Sequence, residues 1–332
     1  MDDRRIKLKK FFKSKIGSWA ILAVLALSLT AYNYFVLGAD EASGRIISDG
    51  TLYARFFDVG QGDATLLVMP DGSDVLVDGG PDGGIVPKLK RTLPGNDRVI
   101  ELVVLTHPHL DHLYGLLEIL KNYQVKEVLT AGVRHDTISY KEWERALKEE
   151  NIKITAAAVP EVFNFGGAEI KVLAPEQDLG NSRIVRDLPG EGGGLNDTSI
   201  VLLVDYGENE ILLMGDAGEE IEKKIMDKFD LRADILKVGH HGSKYSSGAE
   251  FVKEVSPAYA VISSGAGNKY GHPHFRTLRT LSRAAAAVYR TDTDGTVTAH
   301  GDGRTWEVWP ENARSAPCKI KIPVLKWLLC RN

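Results

Sequence analysis

The longest apolar run in the chain lies between Trp19 and Leu37, with an uncharged lead-in from Ile16 to Ser18. It is long enough to cross a bilayer as one helix, and Tyr32, Tyr34 and Phe35 at its far end suit the aromatic belt of an interface. From Thr51 onward the pattern changes to short apolar or alternating runs punctuated by turn residues. Leu52–Asp58, Thr65–Met69 and Val75–Val77 read as strands, broken by turns at Gly60-Gln61-Gly62-Asp63 and Pro70-Asp71-Gly72. No helix fits between them, so an antiparallel meander is predicted. Leu102–Leu105 reads as a buried strand and Leu113–Leu120 as a helix after it. Helices are then expected at Tyr140–Glu149, Gly218–Phe229 and Ala249–Val255. Strands are expected at Lys153–Ala157, Ala168–Leu173, Ser199–Asp205, Glu210–Met214, Ala233–Val238 and Tyr259–Ser263. Two sheets packed face to face with helices outside accommodate this order. Residues 176–196 are glycine-rich with few apolar anchors, and read as a long loop ending at Asn196-Asp197.

Charge sharpens the N-terminal reading. Residues 1–16 carry seven lysines and arginines against two aspartates, a charge of +5, so the rest of the chain carries −9 of the total −4. A basic flank ahead of an apolar run stays in the cytoplasm, which puts the remainder outside it. The apolar region is longer than a signal-peptide h-region and has no clear small-x-small cleavage site, favouring an uncleaved signal anchor over a cleaved peptide. The expected organisation is a basic cytoplasmic segment over 1–16, a transmembrane signal anchor over 17–38, a linker over 39–50, a globular domain over 51–310 and a tail over 311–332. The acidic body argues against nucleic-acid binding through a broad basic face, though a narrow basic groove is compatible with it. Cys318 and Cys330 both fall in the tail, where they cannot staple the core or make a zinc finger. The tail is basic and apolar but too short and too charged to span, so it either packs on the domain or touches the membrane surface.

The densest chemistry is His107-Pro108-His109-Leu110-Asp111-His112, three imidazoles and a carboxylate at a strand-to-helix junction. Alternate residues of an extended segment point the same way, so His107 and His109 can reach one metal while Asp111 and His112 at the turn reach a second. Burying this cluster without a metal would desolvate several polar groups. Asp78 ends a strand at a glycine turn, where its carboxylate can orient a ligand histidine. Asp216, where another apolar strand meets a helix, can offer one oxygen to each of two cations. In His240-His241-Gly242-Ser243, one histidine is a ligand and the other faces substrate or a carboxylate; the sequence does not say which. His272, in Gly271-His272-Pro273-His274, is a candidate for contacting an anionic substrate or protonating a leaving group.

Together, Phe57 to Ala64 (FDVGQGDA), His107 to His112, Gly215-Asp216, His240 to Ser243 and Tyr270 to His274 resemble the metallo-β-lactamase superfamily. Within it they resemble the extracellular β-lactamase-like domain of DNA-uptake competence proteins, over about Tyr53 to Trp309. That resemblance implies an α+β fold, a four-layer αββα sandwich, here preceded by one transmembrane helix, with a two-metal site at one edge of the sheets. It implies His107 and His109 as ligands of the first metal, Asp111 and His112 of the second, Asp216 as the bridge, and His241 or His240 as the last ligand. Asp63 and Asp78 are expected behind the ligands. The superfamily's usual third ligand of the first metal falls here at Leu195-Asn196-Asp197, so Asp197 is the candidate substitute. The only histidine between His112 and Asp216, His135, precedes a helix and is poorly placed. Competence channels also carry many membrane spans, and this chain has one long apolar run.

The implied activity is metal-assisted hydrolysis with two divalent ions, zinc favoured and manganese suited to the carboxylates, which lower the pKa of a shared water to about 7. Asp111, Asp216, His272 and Ser243 are the catalytic candidates, the last two as donors to developing charge. The expected substrate is DNA or another phosphodiester, for a single-pass plasma-membrane phosphodiesterase or nuclease with its domain outside the cytoplasm. Alternatives are a hydrolase of a lactone, β-lactam, thioester or envelope phosphoester, or a binding module without catalysis.

Overall fold

The computed structural model describes residues 46, 49–177, 179, 194–312 and 318–319. The apolar run at 17–38, most of the glycine-rich loop and nearly all of the tail lie outside the described residues. Among the described residues no helix is long and apolar enough to cross a membrane. The chain divides into two compact units, residues 1–46 with 91–95 and residues 47–90 with 96–332. In the first, the Ile46 amide donates to the Thr92 carbonyl. The second holds both sheets.

The expected opening meander forms: β1 (Leu52–Phe56), β2 (Thr65–Val68) and β3 (Asp74–Val77) pair antiparallel in sequence order. Then β4 (Val99–Leu105), β5 (Gln124–Thr130) and β6 (Lys153–Ala156) add to β3 in parallel. Helices Leu110–Asn122 and Ile138–Glu149 make the crossovers that parallel pairing requires. The second sheet begins with β7 (Val162–Phe165), β8 (Ala168–Ala174), β9 (Val201–Tyr206) and β10 (Asn209–Leu213), all antiparallel. It continues in parallel through β11 (Ile235–Lys237), β12 (Tyr259–Ile262) and β13 (Ala287–Arg290). The chain then returns to the first sheet, where β14 (Val297–Gly301) pairs with β1 and is followed by β15 (Trp306–Pro310) and β16 (Cys318–Lys319). That return is not visible in the apolar pattern, because β14 and β1 are joined only by a long-range pairing.

The core lies between the sheets. Ala54, Phe56, Leu67, Val75, Val77, Leu102 and Val104 of the first sheet share one buried cluster with Ile170, Leu202, Val204, Ile211, Ile235 and Val261 of the second. Each large aliphatic chain buried there contributes about 1.5–3 kcal/mol. The other face of the second sheet, through Leu212, Leu236, Ala260 and Ile262, packs against Ile221, Ile225, Phe251, Val252 and Leu281 of the helices outside it. Strands β3 and β4 bury successive residues on both faces, which is why their sequences read as continuous apolar runs rather than alternations. Each parallel run ends with its C-terminal edge at the same place, the position where open parallel sheets gather their ligands.

Candidate metal centre

Six strand ends supply the polar side chains. Asp78 follows β3, His107 follows β4, His135 follows β5, Asp216 follows β10, His240 and His241 follow β11, and His272 lies beyond β12. Backbone bonds stitch the segments after β3 and β4 and the Asp63 turn ahead of β2 into a single frame. The Gly79 amide donates to the His112 carbonyl, the Gly115 amide to Gly80, the Gly80 amide to Asp63, and the Asp63 amide to Asp111. The helix backbone lies so close to the Gly79-Gly80 turn that a Cβ at 115 would fall 1.8 Å from the Gly79 carbonyl oxygen, and a Cβ at 79 would fall 2.5 Å from the Leu116 amide nitrogen. Only glycine permits that approach. It carries His112 onto Asp78.

Asp78 is buried and accepts three hydrogen bonds: from the Thr106 amide at 2.9 Å, the Thr106 hydroxyl at 2.8 Å and His112 Nδ1 at 2.7 Å. With Nδ1 committed as donor, His112 presents the lone pair of Nε2, which faces Asp216 Oδ1 at 3.5 Å. His241 is held the same way. Its Nδ1 meets the Ser263 carbonyl at 3.1 Å, and its Nε2 faces Asp111 Oδ2 at 3.4 Å and Asp216 Oδ2 at 3.6 Å. Opposite them, His107 Nε2 lies 2.9 Å from His109 Nδ1 and 3.8 Å from Asp216 Oδ2. Asp216 therefore stands between the two sets. The structure resolves which neighbour points inward: His241 is buried among the carboxylates, while His240 is one-fifth exposed at the mouth, 3.9 Å from Asp216. Both occupy the left-handed region, with φ of 48° and 54°, a conformation that costs about 1–2 kcal/mol per non-glycine residue.

The donor set fits divalent metal. His112 Nε2, His241 Nε2 and Asp216 Oδ1 are buried with no hydrogen-bond partner, and each such orphan costs about 1–3 kcal/mol unless something binds it. The same atoms form tight groupings, His107 with His112 and Asp216, and Asp111 with His112 and His241. Charge agrees. Asp63, Asp78, Asp111 and Asp216 are gathered here, and the Lys237 ammonium answers one of them through Asp63 Oδ2 at 2.7 Å. Burial works against charge on Asp216, but the imidazoles of His241, His112 and His240 outweigh it and hold the carboxyl well below the usual range. Burial likewise opposes a proton on His107 and drives its pKa well down, leaving a neutral imidazole able to ligate.

The remaining candidates fall into place unevenly. Asp63 sits behind His241, its Oδ1 3.5 Å from the His241 Nδ1; its partner Lys237 escaped the sequence reading, for which a lysine inside the apolar run Ile235–Val238 was the available signal. Asp197 is half-buried and lies outside these groupings, where burial and Glu220 raise its pKa. Its neighbour Asn196 reaches His240 instead, with Nδ2 3.3 Å from His240 Nε2 and a buried Oδ1 that has no partner. Ser243 is buried, its hydroxyl accepts from the Tyr245 amide at 3.3 Å, and it lines neither cavity at the site. His272 stands over the mouth, its ring 5.5 Å from that of His240. His135, set aside on sequence grounds, packs edge-on 6.1 Å from the His109 ring. A cavity of about 430 Å³ opens between Asp111, His109, His135, Asp216, Tyr270 and His272.

The sequence profile of the Metallo-beta-lactamase superfamily matches residues 57–266. The chain is 34% identical over 215 residues to ComE operon protein 3 of Bacillus subtilis, covering 64% of this chain and 26% of that protein. It is 32% identical over 259 residues to Recombination protein 2 of Haemophilus influenzae, covering 76% of this chain and 29% of that protein. With Competence protein ComA of Neisseria gonorrhoeae the identity is 28% over 283 residues, 83% of this chain and 34% of that protein. The chain thus spans about a quarter to a third of the length of these relatives. Among solved structures, the metallo-beta-lactamase fold protein YhfI of Bacillus subtilis aligns with a TM-score of 0.49 at 13% identity, over 75% of this chain and 100% of that one. The profile match covers well over half the chain and spans the histidine motif, Asp216 and the His240-His241 pair, so the chain belongs to the metallo-beta-lactamase superfamily.

Proposed function

We propose that this chain is a metal-dependent phosphodiesterase acting on DNA or a chemically similar phosphodiester outside the cytoplasm, tethered by residues 17–38. The observation that carries the metal-dependent part is the convergence of His112 Nε2, His241 Nε2 and Asp216 Oδ1, buried and unpartnered, beside His107 and His109. Residues 51–310 form the hydrolase domain in this reading. His107 and His109 would hold one ion and Asp111, His112 and His241 the other, with Asp216 placed to reach both. Divalent ions bound there supply a nucleophile at neutral pH and a Lewis acid for the substrate oxygen. Zinc suits the imidazoles; manganese suits the carboxylates.

The chain's own contribution is orientation. Asp78 and the Ser263 carbonyl fix the tautomers of His112 and His241, so both rings present Nε2. The Lys237–Asp63 pair supports the second of these from behind. At the mouth, His272 is positioned to meet an anionic substrate and to give a proton to the departing oxygen. The phosphodiester assignment draws on the names of two relatives, Recombination protein 2 and Competence protein ComA.

Metal content and turnover of bis-p-nitrophenyl phosphate test this together, with nitrocefin and a lactone as rival substrates. The wild type is expected to hold metal and cleave the phosphodiester, and Asp216→Asn to lose turnover to background with its fold intact. Fewer than one metal per chain in the wild type favours a binding module, and turnover of nitrocefin or the lactone alone reassigns the substrate.

A further inference from the structure

The metal centre is open on two sides. A second cavity of about 440 Å³, lined in part by Lys244, Tyr245, His274 and Arg276, shares Asn196, Asp216 and His240 with the first. The two meet over the bridging carboxylate, so a groove crosses the centre instead of ending at it. Large hydrophobic side chains stand exposed along that groove. Tyr270 is 59% exposed and borders the first cavity, Tyr245 is 40% exposed and borders the second, and Phe275 is 71% exposed between the lining residues His274 and Arg276.

Each of these three rings carries a cation. Lys269 Nζ lies 5.1 Å from the Tyr270 centroid, Lys244 Nζ 4.8 Å from Tyr245, and the Arg279 guanidinium 5.8 Å from Phe275. Such pairs occur about once per 70–80 residues in proteins generally, and here three fall between residues 244 and 279. From Tyr270 the rings continue inward: Tyr270 stacks on His272 at 5.8 Å, and His272 meets His240 at 5.5 Å. Exposed aromatic faces interleaved with cations bind unpaired bases and the phosphates between them. A duplex, whose bases are already stacked, gains nothing from such faces.

We propose that Tyr245 and Tyr270, each with a cation against its ring, are base-stacking platforms on either side of the metal centre, and that the site takes an unpaired nucleic-acid strand. This rests on the phosphodiesterase reading. The electrostatics set the character of the binding. Arg276 is engaged by Glu219, and Asp197 and Glu220 border the same cavity. Stacking therefore outweighs counterion release, and affinity falls only weakly with salt, as about −0.7 in log–log slope for each phosphate neutralised.

The test is fluorescence anisotropy of a fluorescein-labelled oligothymidylate on the full-length protein in EDTA, against a hairpin duplex of equal length. Oligothymidylate is expected to bind at least about tenfold more tightly than the duplex. Tyr245→Ala and Tyr270→Ala are each expected to weaken it about five- to hundredfold, with Tyr270→Phe restoring it. Ile154→Ala, an exposed residue on β6, serves as the control for nonspecific effects. Alanine variants that bind the oligonucleotide as tightly as the wild type, or a wild type that prefers the duplex, overturn the proposal. Hydrolysis of bis-p-nitrophenyl phosphate by the same wild-type preparation keeps the phosphodiesterase reading standing in that case; its absence removes both.

Discussion

Asp74 and Asp78 lie four residues apart, one opening strand β3 and the other just beyond its end, and both are almost fully buried. Burial raises the pKa of each, but their surroundings diverge. Asp78 accepts from Thr106 twice and from His112, so its charge is answered. Asp74 faces the carboxylates of Asp97 and Glu101, its Oδ2 has no partner, and burial with those charges pushes its pKa up to about 8. Three donors thus converge on Asp78. At the other end of the same strand, Asp74 meets two further carboxylates and stays protonated through neutrality.

The contrast can be broken most severely at the site end. Asp78→Ala leaves the Thr106 amide, the Thr106 hydroxyl and His112 Nδ1 without their acceptor, and should cost about 3 kcal/mol or more in a urea titration. Metal affinity should fall about 10- to 100-fold in equilibrium dialysis, because His112 loses its fixed tautomer. At the far end the sign reverses. An acid whose folded pKa lies above its unfolded value stabilises the fold fully below about pH 4, and loses that contribution as pH rises through about 8. Asp74→Asn should therefore flatten the decline in stability between those limits and gain about 1–3 kcal/mol at pH 9. A variant whose stability falls with pH as steeply as the wild type would contradict the burial argument. The smallest effect belongs to Lys126, whose exposed ammonium meets Glu101 at 2.9 Å. Lys126→Met should change stability by about 0.5 kcal/mol or less, since a solvated pair gains little.

The site end of β3 was legible in sequence and the far end was not. Asp78 stands at a glycine turn, and His107 to His112 pack their chemistry into six residues, so local spacing reveals them. The opening meander of β1 to β3 followed similarly from strands too closely spaced for helices. What spacing cannot reveal is any pairing across the fold. His135 meets His109 because β4 and β5 are parallel neighbours in register, with Leu105 opposite Thr130. Asn196 reaches His240 across 44 positions, and Lys237 reaches Asp63 across 174. The choice between His240 and His241 depended on two consecutive left-handed residues, a conformation that sequence alone does not announce outside glycine.

The contact between Gly79 and Gly115 has a consequence for how such a protein can vary. With no room for even a methyl group at either position, the distance between the second turn of the helix and the end of β3 is set by backbone against backbone. Tyr245 and Tyr270, exposed at the borders of the two cavities, make none of that frame's hydrogen bonds. Substitutions on the rim can therefore alter what the cleft admits without moving Asp78 or His112.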